Sequence, residues 1–139
     1  MNSEIPLQPK QLPTTGVPGL RVVITAGGGG AGRIIAQTFA DLGAKVLVCD
    51  IDATAIADLK SERSDIYAFA ADVSIDSSVD RLFGIAESRF GGVDVLVNNV
   101  GISGPTAPVE RISTEEWQTT LAANLTSPFF CACVAWYRE

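Results

Sequence analysis

Residues 25–32 read Thr25-Ala26-Gly27-Gly28-Gly29-Gly30-Ala31-Gly32, the composition of an anion-binding turn. Glycine permits positive φ and lets a pyrophosphate come close to the backbone. A helix that starts on such a turn adds unpaired N–H groups and the positive end of its dipole. Taken alone, a glycine run also describes a flexible linker. The flanks favour the phosphate cradle. Leu20-Arg21-Val22-Val23-Ile24-Thr25 is a β-branched run of buried-strand type, and Ile35, Phe39 and Leu42 recur at helical spacing after the turn.

A second group able to do chemistry is Asp50, 18 residues beyond Gly32 and at the end of the apolar run Lys45-Val46-Leu47-Val48-Cys49-Asp50. At a strand's carboxyl end a carboxylate can accept hydrogen bonds from an adenosine ribose, and its charge would repel a 2′-phosphate. No Lys or Arg occupies the glycine turn or positions 51–52. The expected cofactor is NAD in preference to NADP. The plainer reading of a strand-end Asp is a solvated turn residue.

These groups must be positioned by regular elements. After the first strand and helix (stopped by Gly43) and the second strand come a short Ala-rich helix over 53–61 and a third strand over 66–71. A helix with Val79, Leu82, Phe83, Ala86 and Phe90 on one face follows and ends at Gly91-Gly92. Val93–Val97 is a fourth strand, and a Gly/Pro-bearing loop follows it. Ser113 with Glu116 offers a capping box for one long helix from about Thr114 towards the end. Strand and helix alternate four times, which predicts an α/β doubly wound parallel sheet, Rossmann-like. Residues 1–19, with Pro6, Pro9, Pro13 and Pro18, read as a flexible leader, so the domain is expected over 20–139.

From Thr25 to Asn124 the residues resemble the short-chain dehydrogenase/reductase family, whose turn is T-G-x-x-x-G-x-G. Gly30 and Gly32 match, and Ala26 replaces the first family glycine with the addition of one methyl. The resemblance implies a cofactor site made by Thr25, Ala26, Gly28, Gly29, Gly30, Ala31, Gly32, Asp50 and Ile51. Asp72-Val73 resembles the pair that holds the adenine, the carboxylate near its amino group and the Val against the ring. Asn98-Asn99-Val100-Gly101 resembles the family's N-N-A-G, which places Asn98 in support of the sheet and Asn99, Val100 and Gly101 beside the cofactor. Asn124 in Ala122-Ala123-Asn124-Leu125 matches the helix asparagine of the family's catalytic tetrad, which anchors a water in a proton relay. Each piece has a plainer alternative: turn residues for Asn98-Asn99, a helix cap for Asp72, a surface polar group for Asn124.

The resemblance further implies hydride transfer between a nicotinamide and an alcohol or ketone carbon. In the family a Tyr acts as acid/base, its pKa lowered by a Lys four residues on, and a Ser orients the substrate oxygen. Tyr137 has no such Lys after it, and Ser127 lies on the wrong element. The expectation is the dinucleotide-binding part of an oxidoreductase, truncated before the Ser and Tyr-x-x-x-Lys and inactive alone. The alternative is a non-catalytic NAD-binding or association module. An acyl- or methyl-transferring enzyme is disfavoured by Asn98–Gly101 and Asn124. The family's strand order, 3-2-1-4 with later strands missing here, puts the fourth strand at an edge. Trp117, Leu121, Leu125 and Phe129 suit either the core or a contact between copies, and a homo-oligomer is expected.

Composition narrows the field further. With 47% hydrophobic and 19% charged residues the chain is no disordered polar segment. A net charge of −6 disfavours nucleic acid. There is no His, which excludes a His base or His metal ligand, and no metal is expected. Cys49, Cys131 and Cys133 do not form a disulfide framework. No signal peptide and no membrane span is read, so a cytoplasmic location is expected.

Overall fold

The computed structural model describes residues 16–137. Four short strands carry the core: β1 (Arg21–Thr25), β2 (Lys45–Asp50), β3 (Ile66–Ala70) and β4 (Val95–Val97). All pair in parallel in the order β3-β2-β1-β4. Between them run α1 (Gly30–Asp41), α2 (Ala53–Glu62) and α3 (Asp76–Phe90); after them come α4 (Thr114–Leu121) and α5 (Ser127–Tyr137). The expected doubly wound sheet and its strand order are present.

The apolar runs are continuous because both sheet faces are covered. Side chains alternate across a strand, so Val22 and Ile24 join Val46, Val48, Ile56 and Leu59 under α1 and α2. Val23, Leu47 and Cys49 point the other way, against Val79, Leu82, Phe83 and Ala86 of α3 and Cys131 of α5. Ile35 and Phe39 pack on the first face as the spacing predicted, but Leu42 is exposed. The helix stops at Asp41 and Leu42 turns out of the stripe as its cap, followed by Gly43 at φ +86°. Asp52 caps α2 by accepting from the N–H groups of Thr54 and Ala55, and Ser113 and Glu116 form the expected capping box on α4.

Of the stretch read as a leader, residues 1–15 lie outside the described residues; in 16–19, Gly19 N–H donates to Gly43 O at 2.8 Å. Two other boundaries differ from the expectation. Strand β4 begins at Val95, two residues late. Arg21 N–H, which would enter the ladder there, donates to the Asp94 carboxylate at 2.9 Å, and the Arg21 guanidinium grips the same carboxylate at 2.7 and 2.8 Å. The single long helix expected from Thr114 is divided. Residues Ala122–Thr126 form a wide π turn between α4 and α5, with Ser127 N–H reaching back to Ala122 O. The Ser127 hydroxyl donates to the Ala123 carbonyl at 2.7 Å. Pro128 has no N–H to offer the Asn124 carbonyl four residues earlier, so an ordinary α-helix cannot close there.

Candidate functional site

At the carboxyl ends of β1, β2 and β3 a cleft of about 450 Å³ opens between the sheet and α4, within the size range of small-molecule sites. It stands at the topological switch point, where β2 and β4 leave β1 on opposite sides.

The glycine turn forms one rim, and its glycines do different work. A Cβ on Gly32 would lie 2.2 Å from Ala26 O and 2.5 Å from Asn99 Nδ2, so only glycine lets α1 pack this closely on the turn. A Cβ on Gly27 would lie 2.7 Å from Val48, and one on Gly28 would lie 3.1 Å from Ala55 and from Asp50. At Gly29 and Gly30 a Cβ would meet nothing within 4 Å. These two face open space, and Gly30 has φ +52°. Helix α1 begins at Gly30 with no side-chain cap, unlike α2 and α4, and has no acidic residue in its first turn. Its leading N–H groups are thus offered outward, as an anion site requires.

Ala26, where the family has glycine, sits at φ +51°. The methyl therefore does more than occupy space: the left-handed region costs an Ala about 1–2 kcal/mol. The turn is held there by Asn99, whose Nδ2 donates to Ala26 O at 3.0 Å and whose N–H donates to Thr25 Oγ1 at 3.1 Å. Thr25 is buried and also reaches Val97 O at 3.4 Å. Thr25 and Asn99 thus lock β1 to β4 beneath the cleft. Asn98, expected to support the sheet, is exposed, and its side chain donates to Pro128 O at 3.4 Å.

Asp50 lies opposite the turn. One carboxylate oxygen accepts from Gly28 N–H at 2.9 Å and the other from Asp52 N–H at 3.0 Å. The carboxylate is therefore fixed in direction, with lone pairs remaining for a ligand on the cleft side. Ile51 beside it is exposed at 73%. Asp72 lies on the far wall and accepts from Ser74 N–H and Ser74 Oγ at 2.9 and 2.7 Å. It orders that turn rather than capping α3, whose N-cap is Ile75. Val73 is buried beside it. Ala26, Asp50, Ile51, Asp72, Val73, Val100 and Gly101 all line the cleft; Gly28–Gly32 form its rim, and Thr25 and Asn99 its support.

Asn124 is elsewhere. Its Oδ1 accepts from Ile102 N–H and its Nδ2 donates to Ile102 O, both at 2.8 Å. The side chain staples the loop after β4 to the π turn and spends its amide there.

Sequence reasoning missed the wall contributed by Thr119, Ala122 and Ala123, and Cys49 in the floor. Small residues at i, i+3 and i+4 before Asn124 were the available signal. The Cys49 thiol is pushed up to about 12, chiefly by burial and then by neighbouring Cys131 and Asp50, so it is a neutral floor and no nucleophile.

A doubly wound sheet with an uncapped glycine turn at its switch point and a fixed carboxylate one strand over defines a nucleotide-binding α/β protein. The short chain dehydrogenase family model matches residues 21–136, and the chain belongs to that family. It is 37% identical over 119 residues to the short chain dehydrogenase/reductase dpchG of Colletotrichum higginsianum, covering 83% of this chain and 44% of that protein. It is 32% identical over 116 residues to 3beta-hydroxysteroid dehydrogenase 2 of Eggerthella lenta, covering 81% of this chain and 45% of the relative. The crystal structure of a 3-ketoacyl-(acyl-carrier-protein) reductase from Brucella melitensis complexed with NADH superposes with a TM-score of 0.80 at 33% identity, over 84% of this chain and 49% of that one. The chain thus spans about half the length of the curated relatives it matches. Among the described residues no helix is long and apolar enough to cross a membrane.

Proposed function

We propose that residues 20–139 bind NAD in preference to NADP as the cofactor-holding part of an oxidoreductase acting on an alcohol or ketone. The observation that carries this is the Asp50 carboxylate, held by Gly28 N–H at 2.9 Å at the rim of the cleft. In that position it meets the ribose of a nucleotide whose diphosphate lies on the turn, and a 2′-phosphate would bring two negative charges against it. The residues fit such a ligand. Open space at Gly29 and Gly30 and the uncapped start of α1 suit the diphosphate. Asp72 and Val73 suit the adenine. Asn99, Val100 and Gly101 carry the path onward to Ile102.

NAD, when bound, accepts or delivers the hydride. Asn124 then acts through its main chain: its side chain is committed to Ile102, and its carbonyl, which Pro128 leaves without the α-helical donor, is the group that would hold a relay water. The Ser and Tyr-x-x-x-Lys that protonate and orient substrate are to be supplied from outside these elements, so these 139 residues alone bind cofactor and do not turn over. Trp117, Leu125 and Phe129, exposed at 57, 64 and 62%, suit a contact with another copy or with further chain. Three free thiols, two of them buried, suit a reducing compartment such as the cytoplasm.

Calorimetric titration with NAD and NADP tests the reading. NAD should bind more tightly, and Asp50→Ser should cost NAD about tenfold while NADP gains. Tighter NADP binding by the wild-type chain would refute the preference, and heat from neither would refute the site.

A further inference from the structure

Arg33 follows the glycine run and belongs to no part of the site described above. Its main-chain N–H donates to Gly29 O at 3.1 Å. Its side chain folds back over the turn, with Nη1 3.4 Å from Gly28 O and Nη2 2.6 Å from a Glu62 carboxylate oxygen at the end of α2. One residue therefore holds two consecutive carbonyls of the turn. At 3.4 Å the side-chain contact is long for a hydrogen bond, so it is chiefly the guanidinium charge that attracts the carbonyl dipole.

The consequence follows from peptide geometry. No described peptide bond is cis. In a trans peptide the carbonyl and the next N–H point in opposite directions. With the Gly28 and Gly29 carbonyls drawn towards Arg33, the N–H groups of Gly29 and Gly30 are turned the other way, at the two positions where a Cβ would meet nothing within 4 Å. A run of glycines would not hold this arrangement by itself, because glycine crosses between negative and positive φ at little cost. A flipped peptide would present a carbonyl oxygen to the anion and repel it.

We propose that Arg33, oriented by Glu62, is a positioning residue that keeps the Gly28-Gly29 and Gly29-Gly30 peptides turned so that their N–H groups face a bound diphosphate. This rests on the dinucleotide reading above. It differs from simple charge attraction, under which Glu62 would only weaken the site and its neutralisation would strengthen binding.

The test uses the 139-residue chain, titrated calorimetrically with adenosine, which lacks the diphosphate, and with ADP, which carries it. Arg33→Ala should weaken ADP about tenfold and leave adenosine within about twofold. Arg33→Lys keeps the charge but loses the fork, and should recover only part of the ADP affinity. Glu62→Gln leaves Arg33 in place without its anchor and should weaken ADP by a few-fold. An ADP-to-adenosine ratio unchanged in Arg33→Ala, or ADP bound more tightly by Glu62→Gln, overturns the positioning role while the nucleotide reading stands. A wild-type chain that binds neither ligand nor NAD overturns both.

Discussion

The two ends of the cleft are built on different terms. At the end proposed to take the adenosine the groups serve one another: Gly28 N–H fixes Asp50, Asn99 fixes Ala26 O, and Gly32 admits α1 against the turn. The partners come from the first two strand–helix junctions and from the end of β4. At the other end Asn124 is committed to Ile102, and the helical residues on either side of it are exposed at Trp117, Leu125 and Phe129. A binding surface made by adjacent parallel strands is finished once those strands pair. A reacting surface that needs a helix held at one angle waits on whatever covers that helix. The sheet edges repeat the contrast. On β3, Arg89 lies over the Tyr67 ring at 3.7 Å and Arg81 over Phe69 at 5.2 Å, whereas Val95–Val97 of β4 are half-exposed along an edge.

The largest effect that would sharpen this comparison is at Gly32. A Cβ there lies 2.2 Å from a backbone carbonyl, so Gly32→Val should lower stability by about 3 kcal/mol and abolish nucleotide binding. Gly29→Ala, in open space at φ −147°, should unfold at the wild-type temperature and still lose affinity for ADP, because its methyl stands where the diphosphate approaches. Thermal unfolding alongside calorimetry separates the two. Asn124→Ala removes two hydrogen bonds to Ile102 and should cost about 1–2 kcal/mol with ADP affinity unchanged. A tenfold loss of ADP binding in that variant would break the comparison, since the two ends would then be one cooperative site.

Smaller effects probe the adenosine end alone. Ala26→Gly relieves the φ of +51° and should raise stability by about 1 kcal/mol, read as a higher midpoint in urea. The smallest concerns the buried thiols. Burial holds Cys49 protonated to about 12 and Cys131 to about 11, against 9.0 when unfolded. Their contribution to stability is therefore full below pH 9 and is lost as pH rises from 9 towards 12, because only the unfolded chain ionises easily there. Unfolding midpoints measured from pH 8 to 11 should fall, and Cys49→Ala should flatten the slope. A slope unchanged in that variant would mean that Cys49 does not carry it.

Much of the adenosine end was legible because its information is local. The β-branched run into the glycine turn and the strand ending on Asp50 each declare themselves within a few residues, as does the capping box at Ser113 further along the chain. The π turn was not read, although Pro128 four residues after Asn124 was a visible obstacle to a continuous helix. What makes that break a defined turn is Ile102, 22 positions away, whose N–H and carbonyl capture the Asn124 amide. The cleft wall from Thr119, Ala122 and Ala123 was missed for a similar reason, since a helix's rotation about its axis is set by its neighbours.

The amino-acid sequence by itself determined the order of strands and helices, the parallel sheet and the place of the glycine turn and Asp50 within it, because apolar periodicity and turn chemistry act over a few residues. Only the tertiary structure decided which glycines are filled by packing and which are open, that Asn99 rather than Asn98 locks the turn, and that Arg33 reaches back over it. Those outcomes depend on distances of 2–4 Å that packing sets, several of them between segments far apart in the chain such as Asn99 with Ala26 and Arg33 with Glu62, and residue spacing alone does not encode them.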